Sequence, residues 1–183
     1  MNKVIFLDRD GVINREIGNY VYNLKDFVIN DGLEKALDVW SRDGYSFVIV
    51  TNQGGISKGL YHNNDVENIN AFLQNWFESR NLTLLNIFYC PHHNAIENCI
   101  CRKPDSLMLE KIIARYDVSV EHSFMIGDSD RDVQAANKVG LRVFKIKCPN
   151  DPLRLPNLII QISSYNICHC IYFKFQISFN FIM

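Results

Sequence analysis

Val4-Ile5-Phe6-Leu7-Asp8-Arg9-Asp10-Gly11 is an apolar run that stops abruptly at a pair of carboxylates. So short a run, bounded so sharply, suits a strand buried on both faces of a parallel sheet. Two aspartates at the mouth of such a strand cost desolvation unless a cation or a reaction uses them. Alternation along a strand would point Asp8 and Asp10 to the same side, one free to act as nucleophile while the other handles protons. The same arrangement returns in Phe124-Met125-Ile126-Gly127-Asp128, where Gly127 permits close backbone approach.

Further apolar runs at Phe47 to Val50, Ile87 to Tyr89 and Val143 to Ile146 complete a set of expected strands. Helical spacing fills the gaps between them. Leu33, Ala36, Leu37 and Trp40 form one apolar stripe, and Val66, Ile69, Leu73, Trp76 and Phe77 another. The aromatic residues Trp40, Trp76 and Phe77 read as core. Leu109, Ile112, Ile113 and Tyr116 predict a third helix that starts near Asp105 or Ser106, and a fourth runs from Asp130 to Val139 and stops at Gly140. Strands alternating with helices predict an α/β fold, a doubly wound, Rossmann-like parallel sheet. Its ligand crevice lies beyond the carboxyl ends of the strands. Asp8, Asp10, Thr51, Cys90 and Asp128 each follow a predicted strand, so segments far apart in sequence converge on one edge.

The chain has 183 residues, 48% of them hydrophobic, enough for one substantial core. With 19 basic against 20 acidic residues it has no broad electrostatic grip on nucleic acid or an anionic membrane, so phosphate recognition must be local. The apolar residues before Asp8 are too few for a secretory signal, and a cytoplasmic location is expected. In that reducing setting the six cysteines point to metal rather than disulfides.

Cys90, His92, Cys99 and Cys101 supply three thiolates and an imidazole, a closed tetrahedral set for structural Zn²⁺, with His93 as the alternative nitrogen ligand. His62 and His122 read as surface residues. Arg102-Lys103-Pro104 follows the last cysteine directly, so a zinc-closed loop would hold two cations still: a point charge at Lys103 and a planar fork at Arg102. Thr51-Asn52-Gln53-Gly54-Gly55 offers a hydroxyl and backbone N–H groups that can cradle phosphoryl oxygens. Carboxylates from separate strand ends make a hard oxygen site suited to Mg²⁺. Asp132 is expected to orient the site from behind, while Asp130 decorates the first turn of its helix.

Asp8-x-Asp10-Gly11, Thr51-Asn52-Gln53, Arg102-Lys103-Pro104 and Gly127-Asp128 through Asp132 together resemble the four ordered motifs of the haloacid dehalogenase (HAD)-like phosphohydrolases. The likeness runs from about Lys3 to Lys147. Within that superfamily, Leu7 to Asn14, Thr51 to Ile56 and the Cys90-to-Pro104 segment look like the D-glycero-D-manno-heptose 1,7-bisphosphate 7-phosphatases and the related histidinol-phosphatases. The resemblance implies no large cap domain, a structural zinc held through His92 rather than His93, and a phosphorylated sugar as substrate, in ADP- or GDP-heptose precursor synthesis. It implies Asp8 as nucleophile, Asp10 as acid and base, Thr51 and Lys103 as neutralisers of phosphoryl oxygens, and Mg²⁺ among Asp8, the Asp10 carbonyl and Asp128. Substrate contacts would come from Glu16, Asn19, Tyr20, Asn52, Gln53, Gly54 and Arg102, with Arg102 reaching the second phosphate. Heptose enzymes often carry a lysine where this chain has Ser129, and the short segment between His92 and Cys99 is closer to histidinol-phosphatases, whereas Gly54 to Gly59 is closer to the heptose group.

The phosphatase domain is expected to span residues 1–165 as a monomer without nucleic-acid or membrane partners. Residues 166–183 form an atypical apolar tail in which Phe173, Phe175, Ile177, Phe179 and Phe181 alternate with polar residues, as in a one-sided strand. Cys168-His169-Cys170 lacks a fourth partner for a second metal. A reading of another class, a zinc-knuckle binding module using Arg102 and Lys103, predicts indifference to the loss of Asp8, Asp10 and Asp128.

Overall fold

The computed structural model describes residues 1–146; the expected boundary at residue 165, the tail and Cys168-His169-Cys170 lie outside the described residues. Strands β1 (Val4–Leu7), β2 (Ser46–Asn52), β3 (Leu84–Cys90), β4 (Phe124–Gly127) and β5 (Arg142–Lys145) alternate with helices α1 (Leu33–Arg42), α2 (Asn63–Glu78), α3 (Leu107–Arg115) and α4 (Asp130–Lys138). All pairings are parallel, in the order β3-β2-β1-β4-β5. The chain winds outward from β1 twice, once toward β3 and once toward β5. The crevice of a doubly wound sheet therefore opens beyond the carboxyl end of β1.

Period-two alternation divides the core between the two faces of the sheet. Ile5, Leu7, Phe47, Ile49 and Ile126 pack with Leu33, Leu37 and Trp40 of α1 and Ile69, Leu73 and Phe77 of α2. Val4, Phe6, Val48, Val50 and Met125 pack with Leu109 and Ile112 of α3 and Ala135 and Ala136 of α4. Both faces of β1 and β2 are buried, which is why their sequences are continuously apolar rather than alternating.

Two details differ from the sequence reading. β3 begins at Leu84, ahead of the expected Ile87, because this edge strand is only partly covered and tolerates Asn86 within its ladder. Trp76 is only partly buried at the rim of the core, packed edge-on against Phe77, with the Arg80 guanidinium 4.1 Å from its ring centroid. Its face is shared with a cation rather than enclosed.

Candidate active site

Register decides which residues meet. Leu7 lies opposite Ile49 of β2 and Ile126 of β4, so Asp8, Val50 and Gly127 stand at one level, and β2 continues past it to Asn52. Gly11, at φ 82°, turns the chain back beside β4, and a Cβ there would lie 2.0 Å from Asp128 Oδ2. Only glycine permits that approach, both for space and for the left-handed backbone. The amino-terminal acidic pair and the glycine-aspartate corner thus share one site.

Lys103 closes it from the third side. Its side chain is almost wholly buried, and Nζ lies 3.0 Å from Asp8 Oδ1 and 2.6 Å from Asp132 Oδ1 while donating to the Val50 carbonyl at 2.7 Å. Burial opposes its charge, but Asp8 and Asp132 outweigh burial and hold the ammonium above its usual range. Its backbone is clamped by Asn52, which accepts from Lys103 N–H at 3.0 Å and donates to the Lys103 carbonyl at 2.9 Å. Asp132 is fixed from the other end, since the Ser129 N–H and hydroxyl donate to its Oδ2 at 3.1 and 2.7 Å as the cap of α4. Ser129 therefore caps a helix and orients Asp132. Asp130 is exposed and paired with Lys145 at 2.6 Å.

Asp10 lies in the turn after β1, where strand alternation no longer applies, yet it still lines the cleft. Its rotamer is set by side-chain donors: Arg9 Nη2 at 3.0 Å to both oxygens, Asn14 Nδ2 at 3.1 Å and Gln53 Nε2 at 3.0 Å. Arg9 is fully buried, donates also to the Val21 carbonyl at 2.7 Å, and lies over the Phe27 ring. Sequence reasoning missed Arg9 and Asn14. The middle residue of an Asp-x-Asp turn carries no signal of burial, and Asn14 follows an apolar pair that reads as plain core.

Asp8, Asp10, Thr51, Asn52, Arg102, Lys103 and Asp128 line one cleft of about 350 Å³, together with Glu16, Asn19 and Tyr20 from the loop after β1. Gln53 and Gly54 do not line it. Gln53 is 2% exposed and turned beneath the floor, bonded to Asp10 and Thr51. Gly54 gives room to its neighbours: a Cβ there would meet Arg102 Nη1 at 2.9 Å. His93, read from sequence as the alternative zinc ligand, and Ser129, read as a departure from the heptose pattern, line the cleft as well, together with Arg131, which the sequence reading did not single out. Arg131 reads in sequence as one more charge on a solvated first turn, and its place beside Arg102 emerges only when α4 meets the loop before α3.

Two clusters carry metal-binding chemistry. Carboxylate oxygens of Asp8, Asp128 and Asp132 lie within 4.8 Å of one another. Burial, then the Asp132 charge, pushes Asp8 up to about 8 against the pull of Lys103, and the same two causes raise Asp128 to about 6. Hard oxygens whose mutual repulsion needs a cation fit Mg²⁺. Cys90 Sγ lies 3.7 Å from Cys99 Sγ and 3.2 Å from Cys101 Sγ, and His92 Nδ1 lies 3.5 and 3.3 Å from Cys90 and Cys101 Sγ. Sulfurs about 2.3 Å from a tetrahedral zinc stand about 3.8 Å apart, so the Cys90–Cys99 pair is at that separation and the Cys90–Cys101 pair is closer. His92 faces this cluster, whereas His93 turns to the cleft and accepts from the Ala95 N–H at 3.1 Å. The His92 carbonyl in turn accepts from Arg102 Nη1 at 2.9 Å, tying the guanidinium to the cysteine loop.

Residues 100–148 match the HAD-hydrolase-like family. The D-glycero-alpha-D-manno-heptose-1,7-bisphosphate 7-phosphatase of Photorhabdus laumondii is 35% identical over 178 residues, covering 88% of this chain and 94% of that protein. The beta-specific namesake from Helicobacter pylori is 34% identical, covering 90% of this chain and 94% of its own. The chain belongs to the heptose-1,7-bisphosphate 7-phosphatase family of HAD-like hydrolases. The heptose bisphosphatase fold extends to a solved relative from B. bronchiseptica, complexed with magnesium and phosphate, which superposes with a TM-score of 0.74 at 30% identity over 85% of this chain and 86% of that one. Within this heptose bisphosphatase family member, the parallel sheet and helical layers carry all four motifs to one crevice.

Proposed function

We propose that this protein removes the 7-phosphate of D-glycero-D-manno-heptose 1,7-bisphosphate through an aspartyl-phosphate intermediate. The observation that carries the chemistry is the contact of Asp8 with Lys103 at the mouth of β1, facing Asp128. Asp8 attacks phosphorus, forming the Asp8 acyl phosphate as the bond to the sugar oxygen breaks. Asp10 protonates that leaving oxygen and then takes a proton from the water that hydrolyses the acyl phosphate. Thr51 and Lys103 stabilise the equatorial oxygens. Asp8, Asp128 and the Asp10 carbonyl would hold Mg²⁺, which would supply charge neutralisation for the phosphoryl group. Cys90, His92, Cys99 and Cys101 would hold Zn²⁺, which would keep Arg102 and Lys103 in place. Arg102 and Arg131 take the second phosphate, with Arg131 offsetting the cation lost where Ser129 stands. Glu16, Asn19 and Tyr20 contact the sugar.

The protein is assigned to the cytoplasm as a monomer. Among the described residues no helix is long and apolar enough to cross a membrane. Comparison of kcat/KM on heptose 1,7-bisphosphate and histidinol phosphate tests the substrate. The bisphosphate should win by about 100-fold or more, the value of one lost charged contact pair; parity or reversal would exclude the assignment.

The metal makes a separate prediction. In the folded protein Asp8 and Asp128 sit above their ordinary value of 3.8, so their ionisation disfavours the fold. Their contribution is harmless at low pH and is lost progressively as pH rises from about 4 toward 8. Mg²⁺ binds the ionised pair and reverses that loss. Saturating Mg²⁺ should therefore raise the Tm of metal-free protein more at about pH 8 than at about pH 5. Equal increments at both would remove the ion from this carboxylate cluster.

A further inference from the structure

Tyr61 is almost fully buried, touches no cleft, and yet stands at the head of a hydrogen-bond chain that ends on two reacting groups. Its hydroxyl donates to Gln53 Oε1 at 2.8 Å. That bond, together with the acceptor-only Asp10 carboxylate, sets which way the Gln53 amide faces: Oε1 toward Tyr61 and Nε2 toward Asp10. The two N–H bonds of Nε2 go to Asp10 Oδ2 at 3.0 Å and to Thr51 Oγ1 at 2.9 Å. With its oxygen accepting from Gln53, the Thr51 hydroxyl keeps its own hydrogen for a partner in the cleft.

A reversed amide would undo both effects. Oε1 would then face the Asp10 carboxylate, acceptor against acceptor, and would draw the Thr51 hydrogen to itself. The Tyr61 hydroxyl, donating to Oε1, and the Asp10 carboxylate, an acceptor only, oppose this reversal from the two ends of the amide. Burial pushes the ionisation of Tyr61 up to about 12, so it stays a donor. Its ring is locked by packing: Tyr22 stacks on it with centroids 5.2 Å apart, Tyr20 meets it edge-on at 5.7 Å, and Gly55 makes room where a Cβ would come within 2.1 Å of the ring.

We infer that Tyr61 is a positioning residue for phosphoryl transfer: through Gln53 it fixes Thr51 as a hydrogen-bond donor toward the phosphoryl group and holds Asp10 in its working rotamer. Because Tyr20 lines the cleft and Tyr22 lies on the same ring, the loop that meets the sugar also braces this device. The inference rests on the phosphatase reading but not on the identity of the sugar.

A double-mutant cycle tests it, with kcat and KM measured on p-nitrophenyl phosphate and Mg²⁺. Tyr61→Phe should lower kcat by about 10- to 100-fold, less than the factor of about 10²–10³ for outright removal of an oriented donor, with KM changed less than about threefold. In a Gln53→Met background the same substitution should cost less than about twofold, since the chain is already cut. A Thr51→Val background gives a second reading, should Gln53→Met not fold: there the cost should shrink without vanishing, because the branch to Asp10 remains. A merely structural tyrosine would cost the same factor in every background, and that result overturns the inference. A cycle of that kind on an active wild type leaves the phosphatase assignment standing. A wild type that turns over neither this ester nor heptose bisphosphate sinks both.

Discussion

Asp8→Asn should abolish phosphate release, lowering kcat by at least about 10⁴-fold, without lowering the Tm at about pH 8. The two halves of this result have one cause. Asp8 is buried beside Asp132 and Asp128, and its charge costs the fold more than Lys103 returns, as the upward displacement to about 8 expresses. Asparagine keeps the shape and removes that burden, while Lys103 retains Asp132 at 2.6 Å as a partner. The same variant should yield no acid-quenched phosphoprotein, because the atom that attacks phosphorus is gone. Phosphate release, quench trapping and thermal melting check the three parts. A variant that melts far earlier and loses activity only through unfolding would contradict the assignment of Asp8 as nucleophile, as would retained turnover.

Lys103→Met should have the opposite signature, losing activity and stability together. Removing the ammonium leaves Asp8 and Asp132 buried without the cation that lies 3.0 and 2.6 Å away. Breaking a buried ion pair from one side costs about 3–5 kcal/mol. Loss of one phosphoryl-oxygen donor should lower kcat by a further factor of about 10²–10³. Because the stability loss comes from uncompensated carboxylates, it should shrink as the pH falls and they take up protons. Thermal melts across pH and kcat at saturating Mg²⁺ measure both effects. Chelating the zinc proposed for the cysteine cluster should reproduce part of the kcat loss, since Lys103 lies two residues beyond Cys101. A Lys103→Met protein with wild-type Tm at neutral pH would refute the ion-pair account.

The contrast between these variants reflects what is legible in sequence. The strands of this fold announce themselves because β1, β2 and β4 are buried on both faces and can only be apolar. Asp8, Thr51 and Asp128 are visible for a related reason: each is the polar residue that ends an enforced apolar run. The helices follow from the spacing of Leu33, Leu37 and Trp40 and of Ile69, Leu73 and Phe77, and α3 starts at Leu107, just past Pro104 and Ser106.

What escapes the sequence is the support behind the reacting groups. Arg9 is a charged residue buried by its pairing with Asp10, and charge is normally a signal of exposure. Tyr61 follows Gly59 and Leu60 in a turn with no periodicity to mark it as core. Gln53 sits inside a loop suited to phosphate, which suggests a contact with substrate; the side chain instead turns under the floor to reach Asp10. Arg131 becomes a cleft residue only because α4 docks against the segment that carries Arg102. Each of these roles depends on which elements become neighbours, and spacing along one segment cannot encode that.

The measurement that tests the central claim most directly follows heptose 1,7-bisphosphate by ³¹P NMR in the presence of Mg²⁺ and this protein. The phosphorus signal of the 7-phosphate should disappear, with inorganic phosphate appearing in equal amount and the 1-phosphate signal left intact. Loss of the 1-phosphate, or no release at all from a folded, metal-loaded chain, would contradict the account.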